Sequence, residues 1–232
     1  MANHSRILDP LVGDGASSSR APVGVWRPMT RDELNELGFI APIASVPSIV
    51  ERGILSHRLA SKVPHQSIAN ESVQSLRATK RVPGGMYLHD YANLYICSRN
   101  PMLYVKRDVH ETVCVLRVST DVLDLPNVVI TNANAARTFA KFLPAPEGLE
   151  IVDRELTFAK YWTHDDPDEQ YRRKGLKCAE VLVPNKIHPK FIMGAYVSCQ
   201  SSRTQLTALA PILNIGVNPW LFFIEAHSWF TS

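Results

Sequence analysis

The chain has 232 residues, of which 45% are hydrophobic and 20% charged, so it can bury a core and is not an intrinsically disordered protein. Its sixteen prolines outnumber its eleven glycines, which favours a turn-rich mixed fold over a helical bundle. The net charge of +3 at pH 7 neither requires nor excludes a nucleic-acid partner, because a local basic face matters more than the total.

The N-terminal residues 1 to 28 are rich in Gly, Ser and Pro, and we predict a flexible extension followed by a single domain over residues 29 to 232. The extension has no apolar stretch typical of a secretory signal. No apolar run in the chain reaches bilayer-spanning length. We therefore expect a cytoplasmic protein that does not contact a membrane.

Capping and turn residues predict the first elements. Thr30 and Glu33 form a capping-box pattern that predicts a short helix ending at Gly38. The apolar segment 39–43 suits a buried strand. A second helix is predicted from Ser45 to Gly53.

The rest of the chain alternates short strands and short helices. A long polar segment, 56–85, holds one weak predicted helix over residues 66–78. Runs rich in aromatic and β-branched residues predict strands at 94–97, 102–105, 113–118, 128–130, 179–183, 192–197 and 220–224. Further helices are predicted at 134–142 and from Asp166 through 174. This pattern favours an α+β fold with a split or two-layer sheet, without a dinucleotide-binding fingerprint or a P-loop.

The four cysteines lie far apart, with no CxxC pair and no histidine at zinc spacing. They predict buried free thiols in a reducing compartment and no metal site.

Two charged residues and one dense stretch are candidates for chemistry. Glu180 lies beside an apolar strand, where a carboxylate is either solvated on the other face or catalytic. Arg77 lies in the polar segment, where a solvated helix face is the simpler interpretation. Aromatic, amide and arginine side chains are interleaved between Pro83 and Met102, as in surfaces that stack on single-stranded bases, although a strand pair with a Gly-Gly turn fits equally well.

Together these features resemble the DarT family of DNA ADP-ribosyltransferases, over residues 39 to 200. The most specific match is the stretch from Gly84 to Tyr104, with the Leu-His-Asp-Tyr sequence at its centre. Tyr161-Trp162 and the strand around Glu180 also match. The resemblance implies an ADP-ribosyltransferase-like split β-sheet with short helices and long substrate loops.

The resemblance also implies a role for each matching position. Glu180 falls on the family's catalytic glutamate and Arg77 on its catalytic arginine. NAD⁺, the substrate, is expected to contact the following residues: Phe39, Ile40, Ala41, Ser48, Ser56 and Arg77. Segment 61–79 corresponds to the loop that covers the dinucleotide, and segment 137–180 to the loop that presents the nucleic acid. No metal is expected.

Single-stranded DNA is the implied acceptor, with thymine favoured, because an enzyme that modifies a base needs an accessible Watson–Crick edge. Candidate nucleic-acid contacts are Tyr91, Asn93, Tyr95, Arg99, Met102, Arg172, Arg173 and Lys174. The basic cluster 172–174 suits phosphate contacts, but it equally suits a solvated helix face. The implied partner is an antitoxin with a macrodomain, similar to DarG, that removes the modification from DNA.

The chain departs from the family at the first strand. Family members often carry a His-x-Thr that contacts NAD⁺, where this chain has Phe39-Ile40-Ala41. Three alternatives therefore stay open: the same chemistry on guanine or RNA, a nucleic-acid-binding module with weakened catalysis, and an NAD⁺ hydrolase.

Overall fold

The computed structural model describes residues 26–64 and 71–224. Within these ranges the strands are β1 (Leu37–Pro42), β2 (Ile54–Leu55), β3 (Tyr91–Tyr95), β4 (Val113–Val118), β5 (Val129–Thr131), β6 (Phe142–Pro144), β7 (Glu180–Pro184), β8 (Lys186–Ile187), β9 (Ile192–Val197) and β10 (Ile215–Val217). The helices are α1 (Val46–Arg52), α2 (His57–Ala60), α3 (Glu71–Thr79), α4 (Pro101–Tyr104), α5 (Arg154–Phe158), α6 (Pro167–Leu176) and α7 (Gln200–Leu209). Short 3-10 turns join many of them. No helix in the described ranges is both long and apolar enough to cross a bilayer.

Eight of these strands form one mixed sheet in the order β10-β9-β4-β1-β3-β7-β5-β6. The neighbouring strands run antiparallel, except β9 and β10, which run parallel. Strands β2 and β8 form a separate antiparallel ribbon.

The large sheet opens between β1 and β3. Strand β1 pairs with β4 along all six of its residues, but it pairs with β3 only at Gly38, opposite Tyr95. A Cβ atom on Gly38 would lie 1.7 Å from Oγ and 3.0 Å from Cβ of Ser98, so a side chain at this junction requires Ser98 to shift. Beyond Gly38 the two strands diverge and leave a cleft. The predicted α+β fold with a split sheet is confirmed.

The core consists of several apolar clusters. One cluster contains the buried Leu94 and Val181 of the β3-β7-β5 half and extends to Leu37 of β1 and Val118 of β4. A second cluster covers the β1-β4-β9 half and includes Leu206 of α7. The two halves of the sheet therefore share part of their core, although a cleft lies between β1 and β3.

Several predicted elements are confirmed. The Thr30–Glu33 capping box forms, α1 ends at Gly53 with a positive φ of 92°, and the side chain of Asp166 caps α6. The predicted strands at 113–118 and 192–197 coincide with β4 and β9. The weak helix at 66–78 is seen as α3 from Glu71, and residues 65–70 lie outside the described residues.

Other predicted elements are wrong, and local capping explains most of them. The predicted strand 102–105 is helix α4, because the side chain of Asn100 accepts hydrogen bonds from the amides of Met102 and Leu103. In 220–224 the side chain of Asn218 likewise caps a 3-10 turn. The predicted helix 134–142 is a series of turns leading into β6, where the Asn132 side chain accepts a hydrogen bond from the amide of Lys141.

Two differences come from long-range packing. The first predicted helix ends at Glu33 instead of Gly38, because Leu37 pairs with Val118 at the start of β1. Helix α7 was not predicted, since its Ser- and Thr-rich sequence has weak helix propensity, and its Leu206 packs in the core. Residues 1–25 of the predicted extension lie outside the described residues, and Pro28 bridges to Asp153 of the domain.

Candidate active site

A cavity of about 890 Å³ occupies the cleft between β1 and β3. A volume of this size accommodates a dinucleotide-sized ligand. Four groups of side chains line it: β1 and the following turn (Phe39, Ile40, Ala41, Pro42, Ala44, Ser45), α1 (Ser48, Ile49), β3 (Tyr91, Asn93, Tyr95) and α3 (Ser72, Val73, Gln74, Leu76, Arg77). Residues between 53 and 64, the pair Leu88 and His89, the α4 region and residues between 134 and 178 form the rest of the lining.

A buried ion pair lies at the inner wall of this cavity. One guanidinium nitrogen of Arg77, Nη1, donates hydrogen bonds to both carboxylate oxygens of Glu180, at 3.1 and 3.0 Å. The Glu180 carboxylate is fully buried, and the Arg77 side chain, 6% exposed, lines the cavity. Such a pair is costly to desolvate, and removing one partner leaves an uncompensated buried charge. The pair thus brings together the two predicted catalytic residues.

Glu180 is held by the centre of the β3-β7-β5 half-sheet. As the first residue of β7 it lies opposite Tyr95 on one side and Thr131 on the other. The Thr131 hydroxyl accepts a hydrogen bond from the Glu180 amide, and the Ala135 amide donates to its carboxylate at 3.2 Å. The carboxylate position is therefore fixed by two strands and one loop before any ligand binds.

Arg77 is positioned by helix α3, whose last turn carries it. The Gln74 side chain, one turn earlier, contacts His89 Nε2 at 3.1 Å, and the His89 ring stacks on His57 with centroids 4.0 Å apart. The second guanidinium nitrogen, Nη2, is buried and has no hydrogen-bond partner in the described part of the chain. A buried donor of this kind favours a ligand acceptor beside it.

Burial, together with the charges of the pair, shifts the pKa of several neighbours. Burial, with a further contribution from the Glu180 carboxylate, holds the pKa of Tyr95 well above its ordinary value. Burial and the nearby Arg77 lower the pKa of Lys80, and Glu180 opposes this effect. Burial raises the pKa of the Cys178 thiol to about 12, so this cavity residue stays a protonated thiol at neutral pH.

Another part of the cavity lining is both aromatic and cationic. The Arg137 guanidinium lies 3.8 Å above the ring of Tyr171, and Phe139 meets the same ring edge-on. Lys174 lies one turn after Tyr171 on α6, and both line the cavity. The Tyr171 side chain is about half exposed. This wall can stack on a base and contact phosphate at the same time.

Comparisons with known proteins identify the family. A family model described as "ssDNA thymidine ADP-ribosyltransferase, DarT" matches residues 39–231. The chain belongs to the DarT family. DarT proteins are NAD⁺-dependent DNA ADP-ribosyltransferases, so the predicted family and enzyme class are confirmed.

Curated relatives agree with this assignment. A DNA ADP-ribosyl transferase–DNA ADP-ribosyl glycohydrolase fusion protein of Thermosipho africanus is 30% identical over 200 residues, which cover 82% of this chain and 50% of the relative. The chain thus spans about half the length of that fusion protein. A DNA ADP-ribosyl transferase of Mycobacterium bovis is 30% identical over 72% of this chain and 79% of its own length.

Solved DarT structures share the fold. The structure described as Thermus sp. 2.9 DarT in complex with ADP-ribosylated ssDNA is 25% identical, with a TM-score of 0.72, and the match covers 84% of this chain and 99% of that one. Thermosipho africanus DarTG in complex with ADP-ribose is 25% identical, with a TM-score of 0.73, over 82% of this chain and 51% of that one.

Most residues predicted from the DarT resemblance line one cavity. These are Phe39, Ile40, Ala41, Ser48, Arg77, Tyr91, Asn93, Tyr95, Met102 and Lys174. Of the segment predicted to cover the dinucleotide, residues 65–70 lie outside the described residues, and α3 forms a cavity wall. Segment 137–180 contributes Arg137, Tyr171 and Lys174 to the cavity lining.

Five predicted residues do not line the cavity, and the first is Glu180, whose fully buried carboxylate is paired with Arg77. Ser56 is buried, and its hydroxyl caps α2. Arg172 and Arg173 form ion pairs with Glu169, on the same helix. Arg99 lies between the rings of Trp220 and Phe223.

Tyr171 and Arg137 were not predicted as individual site residues. Tyr171 precedes Lys174 by three residues on a predicted helix, so their shared face was a readable signal. The stacking of Arg137 on Tyr171 joins a loop to a helix and has no local sequence signal. The described residues contain no group of three or more His, Cys, Asp or Glu side chains that could hold a metal ion.

Proposed function

We propose that this chain transfers ADP-ribose from NAD⁺ to thymine in single-stranded DNA, and that it acts as a toxin in the cytoplasm. The observation that carries this proposal is the buried Arg77–Glu180 pair at the wall of a cavity with two different sides. The β1 and α1 side suits a dinucleotide. The aromatic and cationic side of Arg137, Tyr171 and Lys174 suits a nucleic-acid strand.

On the NAD⁺ side, the apolar β1 residues Phe39, Ile40 and Ala41 replace the polar side chains common in the family. Backbone groups and Ser48 of α1 then supply polar contacts there. Arg77 lies over the Glu180 carboxylate, so we infer that the Arg77 side chain moves aside when the nicotinamide-side ribose binds. Glu180 then accepts a hydrogen bond from the 2′-hydroxyl of that ribose and stabilises the positive charge that develops on the sugar.

The proposed step breaks the glycosidic bond and the N3–H bond of thymine, and it forms a C1′–N3 bond and an O–H bond on the carboxylate. The glycosidic bond between the ribose C1′ and nicotinamide breaks, and nicotinamide leaves as a neutral molecule. A new bond forms between C1′ and N3 of thymine, which loses its proton. Glu180 is the carboxylate placed to accept that proton, and Arg77 stabilises the developing negative charge on the base, since a guanidinium stays protonated.

The acceptor is single-stranded because the attacking atom lies on the Watson–Crick edge of the base, which a duplex covers. Tyr171 supplies a stacking face, with Arg137 fixed on its ring. Lys174 contributes a positive charge for phosphate. Guanine and RNA acceptors are outcomes of the test below.

A glycohydrolase that removes ADP-ribose from DNA is the proposed partner. The Thermosipho relative joins a transferase and a glycohydrolase in one polypeptide. We propose that this chain works with a separate or attached activity of the same kind, similar to DarG. Co-incubation of modified DNA with such a glycohydrolase should return the unmodified oligonucleotide in intact-mass spectra; an adduct that persists would contradict this pairing.

The activity is tested by intact-mass spectrometry of mixed-sequence single-stranded oligonucleotides after incubation with NAD⁺. We expect an ADP-ribose adduct with the native protein, and a loss on the order of 100-fold or more with Glu180→Gln. Glu36→Gln, which removes a partly exposed carboxylate paired with Arg117, is the matched control and should keep full activity.

Fragmentation of the adduct names the acceptor base. An adduct on guanine, or on RNA alone, would still support transfer of ADP-ribose from NAD⁺, but it would overturn thymine in DNA as the acceptor. If the native protein is folded and neither DNA nor RNA carries an adduct, the transferase function is contradicted. The chain would then be a nucleic-acid-binding module.

A further inference from the structure

A surface next to the cavity combines exposed aromatic rings with arginines. We call it the aromatic–arginine platform, formed by Arg99, Tyr104, Arg107, Trp162, Trp220 and Phe223. The Trp220 side chain is 58% exposed and Tyr104 39% exposed. Large exposed aromatic side chains grouped together are typical of binding surfaces.

The platform is held together by arginine–ring and edge-to-face ring contacts. The Arg99 guanidinium lies 4.4 Å from the centre of the Trp220 ring and 4.0 Å from that of Phe223. It is fixed by hydrogen bonds that it donates to the carbonyl oxygens of Trp220 and Lys160, at 3.0 and 3.1 Å. Arg99 therefore covers one face of the exposed Trp220 ring and holds the ring in place.

These contacts continue towards the cavity. Phe223 meets Tyr104 edge-on at 5.0 Å, and Trp162 contacts both rings. Arg107 lies 4.4 Å from the centre of the Tyr104 ring. Tyr104 lies on α4 between Met102 and Val105, which both line the cavity. The platform thus begins where the cavity ends.

The charge of the platform favours a polyanion. Arg99, Arg107, Lys106 and Lys160 lie in or beside it, and Asp108 pairs with Arg107 at 3.6 Å. Rigid aromatic faces with interleaved cations are the combination that binds successive unstacked bases and their phosphates.

We propose that the aromatic–arginine platform binds the nucleotides that flank the target base, with Trp220 as a stacking surface for one of them. This proposal rests on the proposed single-stranded DNA substrate and adds a second subsite to it. A strand whose target base enters the cavity beside Met102 continues over Tyr104 and reaches Trp220. The platform therefore favours long oligonucleotides over short ones.

The test compares a trinucleotide centred on the target base with oligonucleotides extended by six residues on the 5′ side or the 3′ side. With Trp220→Ala we expect KM for one extended substrate to rise on the order of tenfold, with kcat, the trinucleotide rate and KM for NAD⁺ unchanged. Trp220→Phe should restore much of the loss, because it keeps an aromatic face. Trp26→Ala is the matched control, since Trp26 is 56% exposed and lines a different cavity.

Binding measured by fluorescence anisotropy separates this proposal from the activity. If no DNA is modified, weaker binding of the extended oligonucleotides by Trp220→Ala alone still supports the platform. The proposal would be overturned if Trp220→Ala weakened binding of the trinucleotide and the extended oligonucleotides equally, or weakened neither. It would also be overturned if Trp220→Ala bound DNA normally and lost only its binding to the glycohydrolase partner. The platform would then be a protein-binding surface.

Discussion

At the scale of single residues, the candidate site depends on a coupled pair. Arg77 and Glu180 lie 103 residues apart in the chain and meet at hydrogen-bond distance inside the protein. The family resemblance pointed to each of them separately. Their mutual contact, the fully buried carboxylate and the Nη2 atom without a partner among the described residues depend on tertiary packing, and no local pattern in the sequence predicts them.

The pair should show strong coupling in stability. Glu180→Gln leaves the Arg77 charge buried without a counter-charge, and we expect it to lower the free energy of unfolding by about 3–5 kcal/mol. Adding Arg77→Met removes that charge, so the double variant should be more stable than Glu180→Gln alone. Urea denaturation of the four proteins in the cycle measures the coupling. Additive effects would contradict a direct buried ion pair.

His89 should make stability depend on pH. Burial, followed by the nearby His57 and Arg77, lowers the pKa of His89 in the folded protein. The unfolded chain therefore takes up this proton first as the pH falls below about 6.5, and the folded state loses stability below that pH. Above that pH the histidine is neutral in both states and there is no such loss.

Thermal unfolding of the native protein and His89→Gln between pH 8 and pH 5 measures this effect. Glutamine can still donate to Gln74 but does not titrate in this range. We expect the native protein to lose more Tm on acidification than the variant. If Tm fell with pH equally in the native protein and in His89→Gln, His89 would not be the titrating group.

At the scale of elements, the cleft exists because β1 and β3 part at Gly38. A Cβ atom there would lie 1.7 Å from Ser98 Oγ and 3.0 Å from Ser98 Cβ. The sequence correctly predicted a buried strand at β1. Its mixture of short strands and short helices also indicated a split sheet. The strand order and the point of divergence follow from long-range pairing, which a single sequence does not encode locally.

Substitution at this junction should therefore be costly. We expect Gly38→Val to lower the free energy of unfolding by about 1–3 kcal/mol through overpacking. Ser98→Gly on the same background removes the nearest atoms and should recover part of the loss, as measured by urea denaturation. If Ser98→Gly gave no recovery, the steric explanation would be wrong.

Local capping chemistry also explains where the element predictions failed. The Met102–Val105 run has the composition of a strand, yet the Asn100 side chain and Pro101 start a helix there. The consequence is functional, because α4 carries one cavity wall and the beginning of the aromatic–arginine platform. Asparagine followed by proline was a readable signal in the sequence, and it outweighed the β propensity of the residues after it.

At the scale of the whole molecule, the cavity lies between two halves of a sheet that share part of one apolar cluster, which contains Leu37 and Leu94. A ligand in the cleft contacts β1 and α1 on one side and β3 and α3 on the other. Binding should therefore stabilise the whole protein instead of one element. The family and enzyme class could be read from the sequence, whereas the shape of the cavity and its aromatic, cationic wall required the fold.

A non-hydrolysable NAD⁺ analogue should raise Tm. At a concentration one hundred times its Kd, binding to the folded state alone adds about 2.7 kcal/mol to the free energy of unfolding. Ala44→Trp places a large side chain at an exposed position on the cavity wall and should abolish the shift without unfolding the protein. An unchanged Tm in the native protein would argue against a dinucleotide site in this cleft.

The most direct test uses a single-stranded oligonucleotide with one thymine, its thymine-free counterpart and its duplex, each incubated with NAD⁺ and examined by intact-mass spectrometry. We expect an ADP-ribose adduct on the single-thymine strand, little on the other two, and none with Glu180→Gln. An adduct on the thymine-free strand, or an equal yield with folded Glu180→Gln, would contradict transfer to thymine at the Arg77–Glu180 site.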